Sequence, residues 1–262
     1  MPDRERSIRV EAVVVRHSNW GEADRLLVLF SRERGKLRAI AKGVRKMHSR
    51  KAGHLEPFTK VSLQLARGRD LWIVTQAETI EPYLQIREDL VRTAYASYAV
   101  ELVERFTYEE GASLPLYQLL QETLKRIASE EDCYLAVRYF EIHALDLAGF
   151  RPELTRCVGC GREIRAEDQF FDAGLGGALC PDCGLKTTTS RQITMEGLKY
   201  LRHLQRTSYR EAARAQIPER ARREIETVLQ AYITYQLERS LNSPEFLQQV
   251  RHNQPNTPPP SD

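Results

Sequence analysis

The chain has 262 residues, 42% hydrophobic and 29% charged, a globular composition that excludes a wholly disordered protein. Its apolar runs, such as Val13-Val14-Val15 and Leu26 to Phe30, fall far short of the ~20 residues of a membrane helix. The opening MPDRERSIRV lacks the apolar core of an export signal, so a soluble cytoplasmic protein with no membrane partner is expected. Net charge is +3, yet residues 1–80 hold 17 Lys and Arg against 9 Asp and Glu, a net of +8, while the remainder holds 22 against 27. That asymmetry points to one region meeting a polyanion; the alternative is a basic module that merely balances an acidic one.

Alternation through Ile8, Val10, Ala12 and Val14 predicts a strand over Ile8 to Arg16. Asp24 to Ser31 predicts a second strand and Lys36 to Lys42 a third, with Gly35 in the intervening turn where an unusual φ is needed. Phe58 to Arg67 and Asp70 to Thr79 supply two more, joined at Arg67-Gly68-Arg69. Five strands within about 75 residues suggest a small barrel, and strand count alone leaves OB-fold and SH3-like arrangements both open.

Helical periodicity begins after Pro82. Leu90, Val91, Tyr95, Tyr98, Leu102 and Phe106 form one apolar face, and Ser113 is a plausible N-cap for a helix carrying Leu116, Leu120, Leu124 and Ile127. A third helix is expected from Glu130 to Leu147, ended by Gly149 and Pro152, with Cys133 and His143 as packing residues. One helix is expected after Thr194 and another from Pro218 to Leu241, both returning to the earlier helices. The expected organisation is α+β and multidomain: a barrel over 1–80, helices over 81–154, a cysteine module over 155–185, further helices over 186–248 and a disordered tail over 249–262.

Cys157-Val-Gly-Cys160 and Cys180-Pro-Asp-Cys183 are two C-x2-C pairs separated by 19 residues. This spacing suits a four-thiolate Zn²⁺ site, with Gly159, Gly161 and Gly184 expected at positions of positive φ. Two disulfides are the competing reading, disfavoured in a reducing compartment. Four cysteines close a tetrahedral shell, which makes the zinc structural and leaves no open position for catalysis. The glycine-rich stretch 173–177 lies inside the spacer and reads as a flexible turn. No phosphate-binding loop, dinucleotide fingerprint, nucleophile elbow or HExxH pattern is present, so no enzyme is expected.

The segment from Gly35 to Lys60 carries Lys36, Arg38, Lys42, Arg45, Lys46, Arg50, Lys51 and Lys60, opposed by Glu56 alone. Even spacing places Lys36, Arg38 and Lys42 on one strand face, followed by a mobile basic loop from Arg45 to Lys51. Such a face can follow a sugar–phosphate backbone, with Trp20 the better stacking candidate and Trp72 a core residue.

The stretch EAVVVRHSNWGEADRLLVLFSRERGKLRAIAKGVRKMHSRKAGHLEPF, with Gly35-Lys36-Leu37, Ala41-Lys42-Gly43-Val44-Arg45 and Leu55-Glu56-Pro57-Phe58, and the junction Ala148-Gly149-Phe150-Arg151-Pro152 leading to Cys157, resemble the RecO family of bacterial recombination mediators over about residues 7–245. The resemblance implies an OB-fold followed by helices and an inserted zinc module. It implies binding of single- and double-stranded DNA without sequence specificity, annealing of complementary strands, and help in loading RecA onto strands coated by single-strand-binding protein. The implied partners are RecR and the acidic tail of the single-strand-binding protein, the latter received on the helical domain. Phosphate contact is carried onto Lys36, Arg38, Lys42, Arg45, Lys46, Arg50 and Lys51, and zinc ligation onto Cys157, Cys160, Cys180 and Cys183. A protein-interaction scaffold and an RNA-binding factor are the alternatives.

Overall fold

A 14-residue strand, β1 (Ser7–Trp20), has two partners, and this lets the N-terminal sheet close. The structure is a computed structural model and describes residues 6–109, 111–130, 132–237, 241 and 243–252. Strands β2 (Asp24–Ser31), β3 (Gly35–Ala41), β4 (Lys60–Arg67) and β5 (Trp72–Glu81) complete a closed barrel in the order β1-β2-β3-β5-β4. The first half of β1 pairs with β4 from Ser7↔Ala66 to Val13↔Lys60, and the second half with β2 from Ala12↔Ser31 to Trp20↔Asp24. All pairings are antiparallel except the short parallel contact of β3 with β5, through Ala39↔Trp72 and Ile40↔Ile73. This order is that of an OB-fold, which settles the choice between barrels.

A bulge between Val14 and Arg16 bends β1 as it passes from β4 to β2. There the Val14 N–H donates to the Thr59 carbonyl at 3.0 Å and its carbonyl accepts from the Phe58 N–H at 2.7 Å. Phe58 is held at φ +69° by these bonds, a left-handed conformation uncommon for a residue other than glycine. The LEPF segment thus pins the connection before β4 to the bend of β1.

Alternate residues fill the barrel: Val10, Ala12 and Val14 of β1 meet Leu27 and Leu29 of β2, Leu37 and Ala39 of β3, and Leu63 and Leu65 of β4. Val13, Val28 and Phe30 alternate with these and are buried as well. Helices α1 (Leu84–Glu88), α2 (Leu90–Phe106) and α3 (Leu114–Ser129) follow the barrel in chain order and account for that second layer. Phe30 lies 6.1 Å from the Tyr117 ring, the Tyr117 hydroxyl donates to Glu11 Oε1 at 3.1 Å, and Arg16 pairs with Glu104 at 2.9 Å. Asp89 caps α2 by accepting from the Arg92 N–H, and Ser113 caps α3 by accepting from the Leu116 N–H.

The chain forms two compact units, Met1–Cys133 with Asn242–Asp262, and Tyr134–Leu241. Helix α4 (Cys133–Leu147) belongs to the second unit from Tyr134 on; Cys133, the last residue of the first unit's main segment, is buried, and burial pushes its thiol up to about 11. The Gly149 N–H donates to Asp146 O and the Phe150 N–H to Leu145 O, with Gly149 at φ +85°, so the helix stops where Gly149 was expected to end it. A small sheet in the order β7-β6-β8 follows, from β6 (Gln169–Asp172), β7 (Gly177–Leu179) and β8 (Arg191–Ile193), with the four-residue helix α5 (Pro181–Gly184) between β7 and β8. Residues 173–176 make the β6–β7 turn, as the glycines suggest. Helix α6 (Met195–Arg206), capped by Thr194, the short α7 (Tyr209–Ala212) and α8 (Glu219–Leu237) complete this unit. The return of α8 to α4 is seen in the Tyr134 hydroxyl donating to the Arg222 carbonyl at 2.8 Å and in the ion pair of Arg138 with Glu226 at 3.9 Å.

The helices therefore do not form one body. Helices α1 to α3 belong with the barrel, as does a last helix, α9 (Ser243–His252), whose Ser243 N–H donates to Glu101 of α2 at 2.9 Å. The boundary expected at 249 falls inside α9, whose apolar Leu247 and Val250 are buried, and residues 253–262 lie outside those described.

The β2–β3 hairpin closes on Gly35 at φ +66°, where an added Cβ would lie 2.0 Å from the Gly111 carbonyl oxygen. Gly35→Ala is expected to destabilise the first unit by more than the ~1–2 kcal/mol of the left-handed backbone alone. Gly21→Ala, also at positive φ but facing open space, is expected to lose only that backbone term. Urea melts of the two variants check the difference; equal losses would contradict the close approach.

Candidate nucleic-acid interface and thiolate cluster

Strand β3 turns Leu37, Ala39 and Ala41 into the core, so Lys36, Arg38 and Ile40 lie on its outer face. Arg38 is the more exposed of the two cations on that face: its side chain is 56% exposed and pairs with Glu109 at 3.9 Å. The Lys36 ammonium reaches the end of α2, donating to the Glu104 carbonyl at 2.8 Å and to the Thr107 carbonyl. These are carbonyls that a helix C-terminus leaves without partners, and a cation there also meets the negative end of the helix dipole. Burial pushes the Lys36 ammonium pKa down, against the opposing attraction of Glu104 and Glu109. Lys42 stands one residue beyond the end of β3 and is exposed.

The basic segment after β3, expected to be a mobile loop, is a run of hydrogen-bonded turns. Val44 is buried, the Gly43 N–H donates to Asp24 Oδ1 at 2.7 Å and the Arg45 N–H to the Ala23 carbonyl at 2.9 Å. Lys51 closes the run by donating to the Lys42 carbonyl at 3.2 Å and the Val74 carbonyl at 3.1 Å. Lys46 and Arg50 are exposed, as is Arg45, whose guanidinium also touches the Gly21 carbonyl at 3.3 Å. Trp20 ends β1 and is 57% exposed; it stands on a strand end and not in a loop, because the polar residues Ser18 and Asn19 continue the pairing with β2. Trp72 is partly buried against the barrel core, as expected.

Glu56, the acidic residue of this segment, does not cancel the exposed cations. It pairs with Arg25 at 2.9 Å and with His17 at 3.3 Å. Burial pushes its carboxyl pKa up, and hydrogen bonds from Arg25 and His17 outweigh this and hold it below the usual carboxylate range.

Barrel closure adds two cations that sequence reasoning did not assign to the site. The parallel β3–β5 pairing sets the β4–β5 turn beside β3, and Arg38, Arg67, Arg69 and Trp72 line one groove, with Glu109 and Asp70. The Arg67 guanidinium lies 5.7 Å from the centre of the Trp72 ring. The Arg67-Gly68-Arg69 turn was legible; its nearness to Arg38, about 30 residues earlier, depends on the strand order.

In the second unit the four cysteine sulfurs lie within 4.8 Å of one another. The Cys160 and Cys180 sulfurs are 3.8 Å apart. A tetrahedron with metal–sulfur bonds of about 2.3 Å has edges of about 3.8 Å. Each knuckle is a tight turn: the Gly161 N–H donates to the Cys157 carbonyl at 2.8 Å, and the Gly184 N–H to the Cys180 carbonyl at 2.8 Å. Of the three glycines, only Gly161 has positive φ, at +75°. Gly159 and Gly184 are needed for room: a Cβ would meet the Cys183 sulfur at 3.2 Å in the first case and the Phe170 ring at 2.3 Å in the second. The Arg162 guanidinium donates to the Cys160 sulfur at 3.3 Å and brings that thiol down to about 6, while hydrogen bonding with Cys180 pushes Cys183 up to about 12. Four thiols packed this closely cannot all ionise without a cation among them, and together they can hold one metal ion.

The architecture is that of an OB-fold protein with a basic barrel edge and a separate four-cysteine cluster. Residues 6–83 match the family profile described as Recombination protein O N terminal, and residues 87–245 that described as Recombination protein O C terminal. The chain is 39% identical to DNA repair protein RecO of Roseiflexus sp. over 248 residues, 95% of this chain and 87% of the relative. It is 36% identical to DNA repair protein RecO of Dehalococcoides mccartyi, covering 88% and 91% of the two chains, and 37% identical to that of Symbiobacterium thermophilum, covering 92% and 97%. The chain belongs to the RecO family, and this membership supports a role in DNA repair and recombination. No helix among the described residues is long and apolar enough to cross a membrane.

The depressed Glu56 carboxyl sets a pH window. Its folded-state value lies below the unfolded one, so its contribution is complete above the unfolded value, ~4.3, and is lost as pH falls through the folded value. For this half-exposed group the contribution is expected to be at most about 1 kcal/mol. Glu56→Gln should cost more stability at pH 7 than at pH 3, checked by urea melts at both values.

Proposed function

We propose that the chain is a non-catalytic recombination mediator whose barrel edge binds DNA through its phosphates. The observation that carries this reading is the set of exposed cations Arg38, Lys42, Arg45, Lys46 and Arg50, joined across the barrel closure by Arg67 and Arg69. Lys36 and Lys51, which hold backbone carbonyls, belong to the architecture of the edge and not to the contact. Trp20 offers a stacking face at one end of this surface. Exposed cations on a barrel edge contact phosphates, and phosphate contacts carry no sequence information directly, so sequence preference is weak in this reading.

Annealing follows from charge neutralisation. Two polyanionic strands repel each other; a dense basic edge screens both and raises the rate at which complementary bases meet, with no nucleotide consumed. In this reading the protein acts on strands coated by single-strand-binding protein, receives that protein's acidic tail on its helices, works with RecR and aids loading of RecA. Cys157, Cys160, Cys180 and Cys183 hold one Zn²⁺ as ligands of a closed shell, which ties the two knuckles together.

Seven phosphate contacts on single strands give a slope of log affinity against log salt of about −5. Arg45→Glu with Lys46→Glu is expected to lower its magnitude by at least about 1.4 and to slow annealing of complementary oligonucleotides coated by single-strand-binding protein. Lys36→Met is expected to lower the melting temperature and leave the slope unchanged. Fluorescence anisotropy titrations at several salt concentrations read these effects, and an unaltered slope in the double variant would refute the interface.

The zinc assignment has its own test. The purified chain should carry one equivalent of zinc by elemental analysis, and Cys160→Ala should lose it. Chelation with confirmed metal loss should remove the ordered structure of residues 155–185, since structural zinc contributes on the order of 10–16 kcal/mol in such modules. Hydrogen exchange unchanged in that segment after metal loss would argue against the assignment.

A further inference from the structure

Met47 is 97% exposed, the most exposed large apolar side chain among the described residues, and it stands in the connection between β3 and β4. Its neighbours in sequence are cationic or polar: Arg45, Lys46, His48 and Arg50 are all exposed. The backbone that carries it is well determined by hydrogen bonds. The Lys46 N–H donates to the Gly43 carbonyl at 3.2 Å and the Ser49 N–H to the Lys46 carbonyl at 2.9 Å, so Met47 lies inside a turn whose two ends are fixed.

The turn just before it, Gly43 to Lys46, is laced to the end of the β1–β2 hairpin. The Arg45 N–H donates to the Ala23 carbonyl at 2.9 Å, the Arg45 guanidinium to the Gly21 carbonyl at 3.3 Å, and the Gly43 N–H to Asp24 Oδ1 at 2.7 Å. That hairpin end carries Trp20, 57% exposed. Two large apolar side chains therefore stand near each other in sequence-distant, hydrogen-bonded segments, Trp20 at the end of β1 and Met47 in the turn after β3, within a cluster of cations.

An apolar tip among cations complements a polyanion that exposes apolar faces beside its charges. A nucleic acid does this where its bases are unstacked. A closed duplex offers phosphates to the cations and nothing to the thioether, whereas a junction of duplex and single strand offers both. Apolar side chains, methionine among them, act as wedges between base steps, and aromatic rings stack on single bases.

We propose that Met47 is a wedge that enters the base stack where duplex opens into single strand, with Trp20 stacking on an adjoining base. This rests on the DNA-binding reading above and adds a structural preference to it: the barrel edge favours junctions over closed duplex. An unbranched thioether suits the role, since it adapts its shape to bases of different size.

The test uses the full chain and an oligonucleotide carrying 2-aminopurine at a duplex–single-strand junction, with a blunt duplex of the same length as the comparison. The parent chain is expected to change the 2-aminopurine fluorescence and to bind the junction more tightly. Met47→Ala should keep the melting temperature, the salt slope and the affinity for blunt duplex, lose the fluorescence change, and have its junction preference reduced on the order of five- to tenfold. Met47→Leu should retain both signals. An unaltered response in Met47→Ala, or no junction response in the parent chain, overturns the wedge and leaves the basic interface standing. Binding that survives Arg45→Glu with Lys46→Glu undiminished overturns the interface reading itself, and the wedge with it.

Discussion

Closure of the N-terminal sheet rests on a short parallel contact, Ala39↔Trp72 and Ile40↔Ile73. Five strands of such uneven length would otherwise leave two open edges, and open edges invite pairing with other chains. The closing strands are the third and the last in chain order, with β4 and the basic connection between them. What makes closure possible is the bend at Val14 and Arg16, where β1 leaves one partner for the other while Phe58 and Thr59 take up the backbone groups that the bulge frees. The same closure carries Arg67 and Arg69 to the side of Arg38. A stabilising device of the fold is thus also the device that brings Arg67 and Arg69 into one groove with Arg38.

Cations on this barrel divide by what their head groups can reach. Lys36 and Lys51 place compact ammonium groups against backbone carbonyls, which a lysine can satisfy with three donors and a long apolar stem lying along the surface. Arg38, Arg67 and Arg69 are exposed, Arg38 beside Glu109 and Arg67 over the Trp72 ring, and a guanidinium group is the one that suits bidentate contact with a phosphate. Carboxylates near the edge are partly removed from the balance as well. Glu56 faces Arg25 and His17, and Glu11 faces Lys60 at 2.9 Å and the Tyr117 hydroxyl. Glu56 and Glu11 are thereby occupied by partners other than the exposed cations, while Glu109 and Asp70 remain beside Arg38, Arg67 and Arg69.

Much of this was legible because the barrel obeys a period of two. Ile8 to Ala12 and Gly35 to Ala41 alternate between buried and less buried positions, and strands lie there; Ala12 to Val15 and Leu27 to Phe30 are buried on both faces and read as apolar runs instead. The reading failed where the period loses its apolar member. Ser18 to Trp20 run past the core as half of an exposed ribbon, and sequence gives such a strand the appearance of a loop. Short elements left too little pattern to find: α5 and α7 have four residues each. The direction of Lys36 was hidden for a different reason. Its position on the outer face was correctly read from spacing, but the helix end that receives its ammonium lies about 70 residues later in the chain.

The cysteine spacing was the most transparent signal, yet the reason for its glycines was not. A C-x2-C knuckle asks for tight backbone turns, which suggests positive φ at every flanking glycine, and Gly161 alone meets it. Gly159 and Gly184 serve packing: a Cβ at Gly184 would clash with the Phe170 ring, and one at Gly159 would press tightly on Leu179 and Cys183. Phe170 belongs to β6, and its ring braces the second knuckle, so the small sheet and the sulfur cluster constrain each other. Four thiols alone would repel one another once ionised, and the sheet alone has strands of only three or four residues. Neither part has the means to hold its shape without the other, which is why a metal ion bound here would act on the whole module and not on the four sulfurs alone.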